Sequence, residues 1–215
     1  MSTKQKQIDR YIIEHSSGED DLLKELTRQT HLNVLRPRML SGPVQGQMLY
    51  LLCRMIQPRR ILEIGTYTGY SAICMARGMS DKGELVTIEI NDELRSFAEG
   101  FFKRAGLETV ITQLTGSALN IIPELDGEFD LVFIDGDKRE YPEYYKLVFD
   151  KVRRGGFILA DNVLWDGKVV EPLHPNDEYT KGILDFNEMV KRDSRVEKVI
   201  LPIRDGLTLI RKTGN

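Results

Sequence analysis

Asp135, Asp161 and Asn162 are three oxygen donors placed where a cation could be gripped. Asp135 closes the apolar run Leu131-Val132-Phe133-Ile134, and Asp161-Asn162 close a second run, Phe157-Ile158-Leu159-Ala160. Two carboxylates and an amide oxygen form a hard donor set. Such a set suits Mg²⁺ first, with Mn²⁺ or Ca²⁺ as alternatives, rather than a soft metal. Lys138 follows Asp135 by three residues. A dication nearby would lower a lysine pKa by charge repulsion and let the amine act as a base. The same spacing fits an exposed lysine paired with Asp135 or Asp137. Asp137 itself reads either as a member of this group or as a brace for its loop. His15, His31 and His174 have no zinc spacing and read as solvated or packed side chains.

A second group lies nearer the N-terminus. The run Ile61-Leu62-Glu63-Ile64 enters the turn Gly65-Thr66-Tyr67-Thr68-Gly69, then a helical segment from Tyr70-Ser71. Glycine allows tight turning and close backbone approach. The spacing G-x-x-x-G is not the dinucleotide fingerprint G-x-G-x-x-G, which serves a pyrophosphate. Glu63 would sit badly beside phosphate and suits a cation or hydroxyls. Glu89 ends the run Val86-Thr87-Ile88, a position from which an acid can bind ribose hydroxyls. S-adenosylmethionine fits these features, having a ribose, no phosphate and a cationic sulfur.

Both groups need an element order that brings them to one edge. Residues 4–15 and 19–31 read as helices, and Pro43 opens a third that stops before Pro58. Strands follow at about 60–65, 84–90, 109–115, 129–135 and 155–161, with helices at about 70–80, 92–105, 117–124, 142–153 and 177–192. Asn91 is a good N-cap before Asp92-Glu93. Continuously apolar strands are covered on both faces, as in a parallel sheet. Val199–Ile203, Asp205-Gly206 and Leu207–Ile210 form a hairpin signal at the end. The expected fold is α/β: a doubly wound, Rossmann-like, mostly parallel seven-stranded sheet with an antiparallel C-terminal hairpin and helices on both faces. The expected organisation is one domain over 1–215, with a helical extension at 1–57 and the core at 58–215. Ligands in such sheets bind beyond the carboxyl ends of the strands.

The chain has 215 residues, with 30 Lys and Arg against 33 Asp and Glu, so no strongly basic surface invites nucleic acid. Met1-Ser2-Thr3-Lys4 begins a polar stretch without a signal core, and Met48–Ile56 is too short for a bilayer span. Cys53 and Cys74 sit in apolar helical patterns and read as buried reduced thiols. The expected location is the cytoplasm, with no membrane partner.

These segments together resemble the cation-dependent O-methyltransferases, including the catechol and caffeoyl-CoA enzymes. The likeness rests on Leu62–Ser71, Thr87–Ile90, Asp135-Gly136-Asp137-Lys138, Asp161–Trp165 and the tail Leu201–Leu209. It spans roughly residues 35–212. By that resemblance Asp135, Asp161 and Asn162 are metal ligands, and Lys138 with Asp135 carries the catalysis. It also implies S-adenosylmethionine contacts from Met39, Ser41, Glu63, Gly65, Tyr67, Ser71, Glu89, Ala118 and Asp135. It implies methyl transfer to a catechol-like or caffeoyl-type aromatic diol, and a homodimer. The segment Asp166–Tyr179 would be a substrate loop that does not match the plant enzymes. A rival of the same fold acts on a hydroxylated uridine in transfer RNA, which Lys151, Arg153 and Arg154 could touch. A nicotinamide oxidoreductase and a non-catalytic binding module are more distant readings.

Overall fold

The computed structural model describes residues 3–214; Met1, Ser2 and Asn215, the outermost residues of the expected 1–215 span, lie outside the described residues. Three helices come first: α1 (Thr3–Glu14), α2 (Asp21–Asn33) and α3 (Gly42–Ile56). Asp20 caps α2 by accepting the Leu23 amide at 2.9 Å, so the helix begins two residues after the expected start. A short turn, Pro37–Met39, stands between α2 and α3. Gln57 closes α3 in a left-handed conformation (φ 52) immediately before Pro58.

Alternation then follows: β1 (Arg60–Ile64), α4 (Tyr70–Gly78), β2 (Glu84–Glu89), α5 (Arg95–Arg104), β3 (Ile111–Thr115), α6 (Ala118–Glu124), β4 (Phe129–Ile134), α7 (Tyr141–Lys151), β5 (Val152–Asp161) and α8 (Glu178–Arg192). The chain ends in β6 (Val196–Leu201) and β7 (Leu207–Lys212). Asn91 accepts the Glu93 amide at 3.1 Å, capping a short turn that leads into α5. The seven strands lie in the order β3-β2-β1-β4-β5-β7-β6. β1 pairs in parallel with both β2 and β4, and β7 pairs antiparallel with β5 and β6. The expected sheet is therefore the observed one.

Two strands extend beyond their expected limits. β5 starts at Val152, not 155, across the polar Arg153-Arg154-Gly155-Gly156 stretch, with a register irregularity against β4. β6 starts at Val196, not 199, because Glu197 and Lys198 give this edge strand an exposed polar face. Alternate strand residues feed two cores. Ile61, Leu131, Phe133 and Leu159 face α2–α5, while Leu62, Ile64, Val132, Ile134 and Ile158 face α6–α8. Burial on both faces explains the unbroken apolar runs. The order reverses between β1 and β4, and a crevice beyond their carboxyl ends follows from that topology. No helix among the described residues is long and apolar enough to cross a membrane.

Candidate active site

Ile134 of β4 and Ala160 of β5 are register partners, so Asp135 and Asp161 leave neighbouring parallel strands side by side. The Asp135 amide still donates to the Ile64 carbonyl at 2.8 Å, which ties its backbone to β1. Lys138 is buried, 7% exposed, and donates from Nζ to Asp135 Oδ1 at 2.7 Å and to the Tyr141 hydroxyl oxygen at 2.6 Å. The Tyr141 hydroxyl in turn lies within donating range of the Ile134 and Asp161 carbonyls, at 3.1 and 2.9 Å. Of the two sequence readings of Lys138, the exposed one is wrong, while its pairing with Asp135 is present. Asp137 accepts the Arg139 amide at 2.9 Å and pairs with its guanidinium, so it braces the loop.

Burial is the main force on Asp135. It pushes the carboxyl up to about 6, against the lowering pull of the Lys138 ammonium and with a further push from Asp161. Asp161 is 2% exposed and accepts its own neighbour's amide, Asn162 N, at 2.9 Å. Asn162 sits in the left-handed region (φ 58), which its short polar side chain tolerates well. The buried Asp161 and partly buried Asp135 carboxylates, on adjacent strand ends, repel each other. That is a donor set a hard divalent cation would fit. Among the described residues no group of three or more His, Cys, Asp and Glu forms a metal cluster. The set is two carboxylates that Asn162 would complete.

Two contributors carry no sequence signal. Gln45, on the first turn of α3 and 1% exposed, donates from Nε2 to Asp161 Oδ2 at 2.7 Å. Arg204, in the turn between β6 and β7, donates from Nη1 to Gln45 Oε1 at 2.5 Å and to the Ser41 carbonyl. These contacts span 116 and 159 residues of chain, so no local pattern reveals them. Asp205 beside it accepts the Asp166 amide at 2.6 Å, and its carbonyl accepts the Leu164 amide at 2.9 Å. The expected loop 166–179 is thus pinned to the hairpin. It opens with short turns over Trp165–Val170, and Trp165 stacks on Tyr179 at 6.2 Å.

The cofactor group assembles around the β1 turn. Glu63 is fully buried and accepts from the Ser71 and Thr87 hydroxyls, so it braces the strand end rather than facing a ligand directly. Glu89 accepts the Tyr67 amide at 2.7 Å and the Asn91 amide at 3.0 Å, leaving carboxylate lone pairs at the end of β2. The Tyr67 hydroxyl donates to the Leu35 carbonyl at 3.1 Å, linking this turn to the segment before α3. On that segment Met39 is 55% exposed and Ser41 is buried. Ala118 begins α6, just beyond β3.

Gly65 is required twice over. Its φ is +102, and a Cβ there would lie 2.3 Å from the Asp135 carbonyl oxygen. Gly65→Ala should therefore destabilise the fold by more than about 3 kcal/mol, read by chemical denaturation, and should lower cofactor affinity as Asp135 is displaced. Gly182 of α8 makes a similar approach: a Cβ would meet the Lys138 carbonyl oxygen at 2.3 Å.

Burial also pushes Glu63 up to about 8, against the Ser71 and Thr87 hydrogen bonds, which favour the anion. The unfolded value is about 4.3, so the native state holds this proton the more tightly. The associated stability is fully present below about pH 4.3 and is lost as pH rises through about 8. Glu63→Gln should flatten that decline, gaining several degrees in Tm on wild type at about pH 9 relative to pH 5. A constant Tm difference across that range would contradict it.

Cys53 and Cys74 are buried, and burial pushes both thiols up to about 12, as suits packed, unreactive side chains. His15 and His31 each contact a backbone carbonyl one turn earlier, and neither joins the site.

A donor pair and a buried lysine at the strand ends of a doubly wound sheet suit an enzyme, and comparison with known proteins gives its class. The family model described as O-methyltransferase matches residues 13–213. The catechol O-methyltransferase of Niastella koreensis is 36% identical over 198 residues, covering 90% of this chain and 89% of that one. The caffeoyl-CoA O-methyltransferase of Pinus taeda is 36% identical over 216 residues, covering 94% and 83%. The crystal structure of the O-methyltransferase TomG from Streptomyces achromogenes, in complex with SAM, superposes with a TM-score of 0.91 at 34% identity, covering 100% of both chains. This chain belongs to the O-methyltransferase family.

Proposed function

We propose that this enzyme methylates one hydroxyl of a catechol-like or caffeoyl-type aromatic diol, using S-adenosylmethionine and a divalent cation, Mg²⁺ foremost. The observation that carries the reading is the juxtaposition of Asp135, Asp161 and Lys138 at adjacent strand ends. Asp135, Asp161 and Asn162 would hold the cation, which supplies Lewis-acid lowering of a hydroxyl pKa. The cofactor supplies an electrophilic methyl group, and Glu89, the Gly65 turn, Ser71 and Ala118 surround the place for it. Lys138, its ammonium form repelled by the charge of a bound cation, would accept the hydroxyl proton at Nζ as the neutral amine, from a position fixed by Asp135 and Tyr141. Gln45 holds Asp161, and the buried surroundings exclude water, so the residues are oriented before substrate arrives.

The transfer RNA reading gains no support. Lys151 donates to the Pro123 and Leu125 carbonyls, Arg153 pairs with Asp130, and Arg154 donates to the Thr213 carbonyl. Arg153 is thus ion-paired, and the other two hold backbone carbonyls. A homodimer is supported by apolar side chains left outside the two cores, with Ile8, Ile12 and Ile13 on α1 and Leu51 and Met55 on α3 all exposed. Light scattering tests it, and a monomer at micromolar concentration would reject it.

The test of the activity is mass spectrometry of a catechol panel incubated with S-adenosylmethionine, with Mg²⁺ or with chelator. Methylated diol in the first arm and none in the second is expected. Equal methylation in both arms rejects the cation.

A further inference from the structure

Arg204 is exposed and yet held at one end. Its backbone lies in the left-handed region (φ 51), a conformation that costs a long side chain energy and that glycine would adopt freely. Nη1 is anchored by the Ser41 carbonyl and Gln45 Oε1, both neutral acceptors. Gln45 in turn holds Asp161, so the guanidinium stands two hydrogen bonds from the donor set. Three other cations of this rim are neutralised. Lys138 pairs with Asp135 at 2.7 Å, Arg139 with Asp137 at 2.5 Å and Lys168 with Asp177 at 2.8 Å. Among the described residues Arg204 forms no ion pair. A strained backbone thus presents a fixed positive charge beside the place where the acceptor hydroxyls would bind; its field reaches Asp135, but no carboxylate pairs with it directly.

We propose that Arg204 is a specificity-determining residue that reads a carboxylate carried by the aromatic diol acceptor, through the N–H groups its anchor leaves unused. This rests on the diol methyltransferase reading above. A guanidinium offers a planar fork matched to carboxylate or phosphate, and anchoring one nitrogen removes much of the entropy cost of using the others. The anion could belong to the ring substituent itself or to the phosphates of a thioester tail. The short reach of a residue tied to Ser41 and Gln45 favours a group on the diol.

The test compares caffeic acid, its neutral methyl ester and caffeoyl-CoA as acceptors for wild type, R204Q, R204K and R204G. In R204Q the ratio of kcat/KM for acid over ester should fall by about 10- to 100-fold, mainly through KM for the acid. R204K, keeping the charge without the fork, should recover part of it. R204G relaxes the left-handed backbone and should show the same fall in ratio, which separates the effect from misfolding. Calorimetry of caffeic acid on protein loaded with S-adenosylhomocysteine should show the matching loss of affinity.

An unchanged acid-to-ester ratio overturns the proposal while leaving methyl transfer to diols intact. So does a rise in KM for S-adenosylmethionine that is equal with every acceptor, which would make Arg204 a cofactor contact. A loss confined to caffeoyl-CoA moves the contact to phosphate and overturns the carboxylate assignment. If wild type methylates none of the three, the diol reading fails and this proposal falls with it.

Discussion

Lys138→Met should lower kcat by about 10²–10⁴-fold with little change in cofactor affinity, the range expected when a positioned general base is lost. Methionine approximates the volume of the stem, so the buried space stays filled. What disappears is the Nζ group that bonds both Asp135 and the Tyr141 hydroxyl. Asp135 loses the cation that opposes its desolvation, so its carboxyl should climb further above about 6. That secondary effect is separable. Loss of the base, by contrast, matters only while the acceptor hydroxyl is protonated. A kcat deficit just as large with 4-nitrocatechol, an acceptor already ionised at about pH 8, would assign Lys138 to holding Asp135 and not to proton transfer. Calorimetric binding of S-adenosylhomocysteine checks that the cofactor side is intact.

Asp161→Ala should abolish cation-dependent turnover, by about 100-fold or more, while retaining most cofactor binding. It also strands two donors, Gln45 Nε2 and the Asn162 amide, which now bond the carboxylate. A buried donor without a partner costs roughly 1–3 kcal/mol, so a stability loss must be measured alongside activity. Asp161→Asn keeps the shape and one acceptor oxygen while removing the charge. It strands one donor where alanine strands two, so it should lose less stability than Asp161→Ala and still lose affinity for Mn²⁺, followed directly by electron paramagnetic resonance. Normal Mn²⁺ affinity in Asp161→Asn would show that this carboxylate is not part of a cation site, whatever the rate does.

Much of this was legible without coordinates. The runs ending at Asp135 and Asp161 are unbroken because both faces of β4 and β5 are covered, so hydrophobicity alone marks them as central parallel strands. Once they are parallel neighbours, the residues after them must emerge at the same edge. The Gly65 turn and Glu89 were readable for the same reason: Gly65 follows β1, and Glu89 ends β2, its parallel neighbour. Edge strands were read short, since β6 lacks a covered second face and its charges hide the period.

Tertiary structure alone decided the electrostatics. Lys138 could be exposed or buried on spacing, and only the packing of α8 at Gly182 against its backbone, together with Tyr141, encloses it. Glu63 was expected to face a ligand but is sealed beneath the turn by Ser71 and Thr87, because β2 and α4 close over it. Gln45 meets Asp161 and Arg204 across 116 and 159 residues, and such contacts have no local period to read. Sequence determines strand order through burial, which is a property of each segment. Which charges are paired, and that Arg204 is held by neutral acceptors, depends on distances between segments that only the folded chain sets.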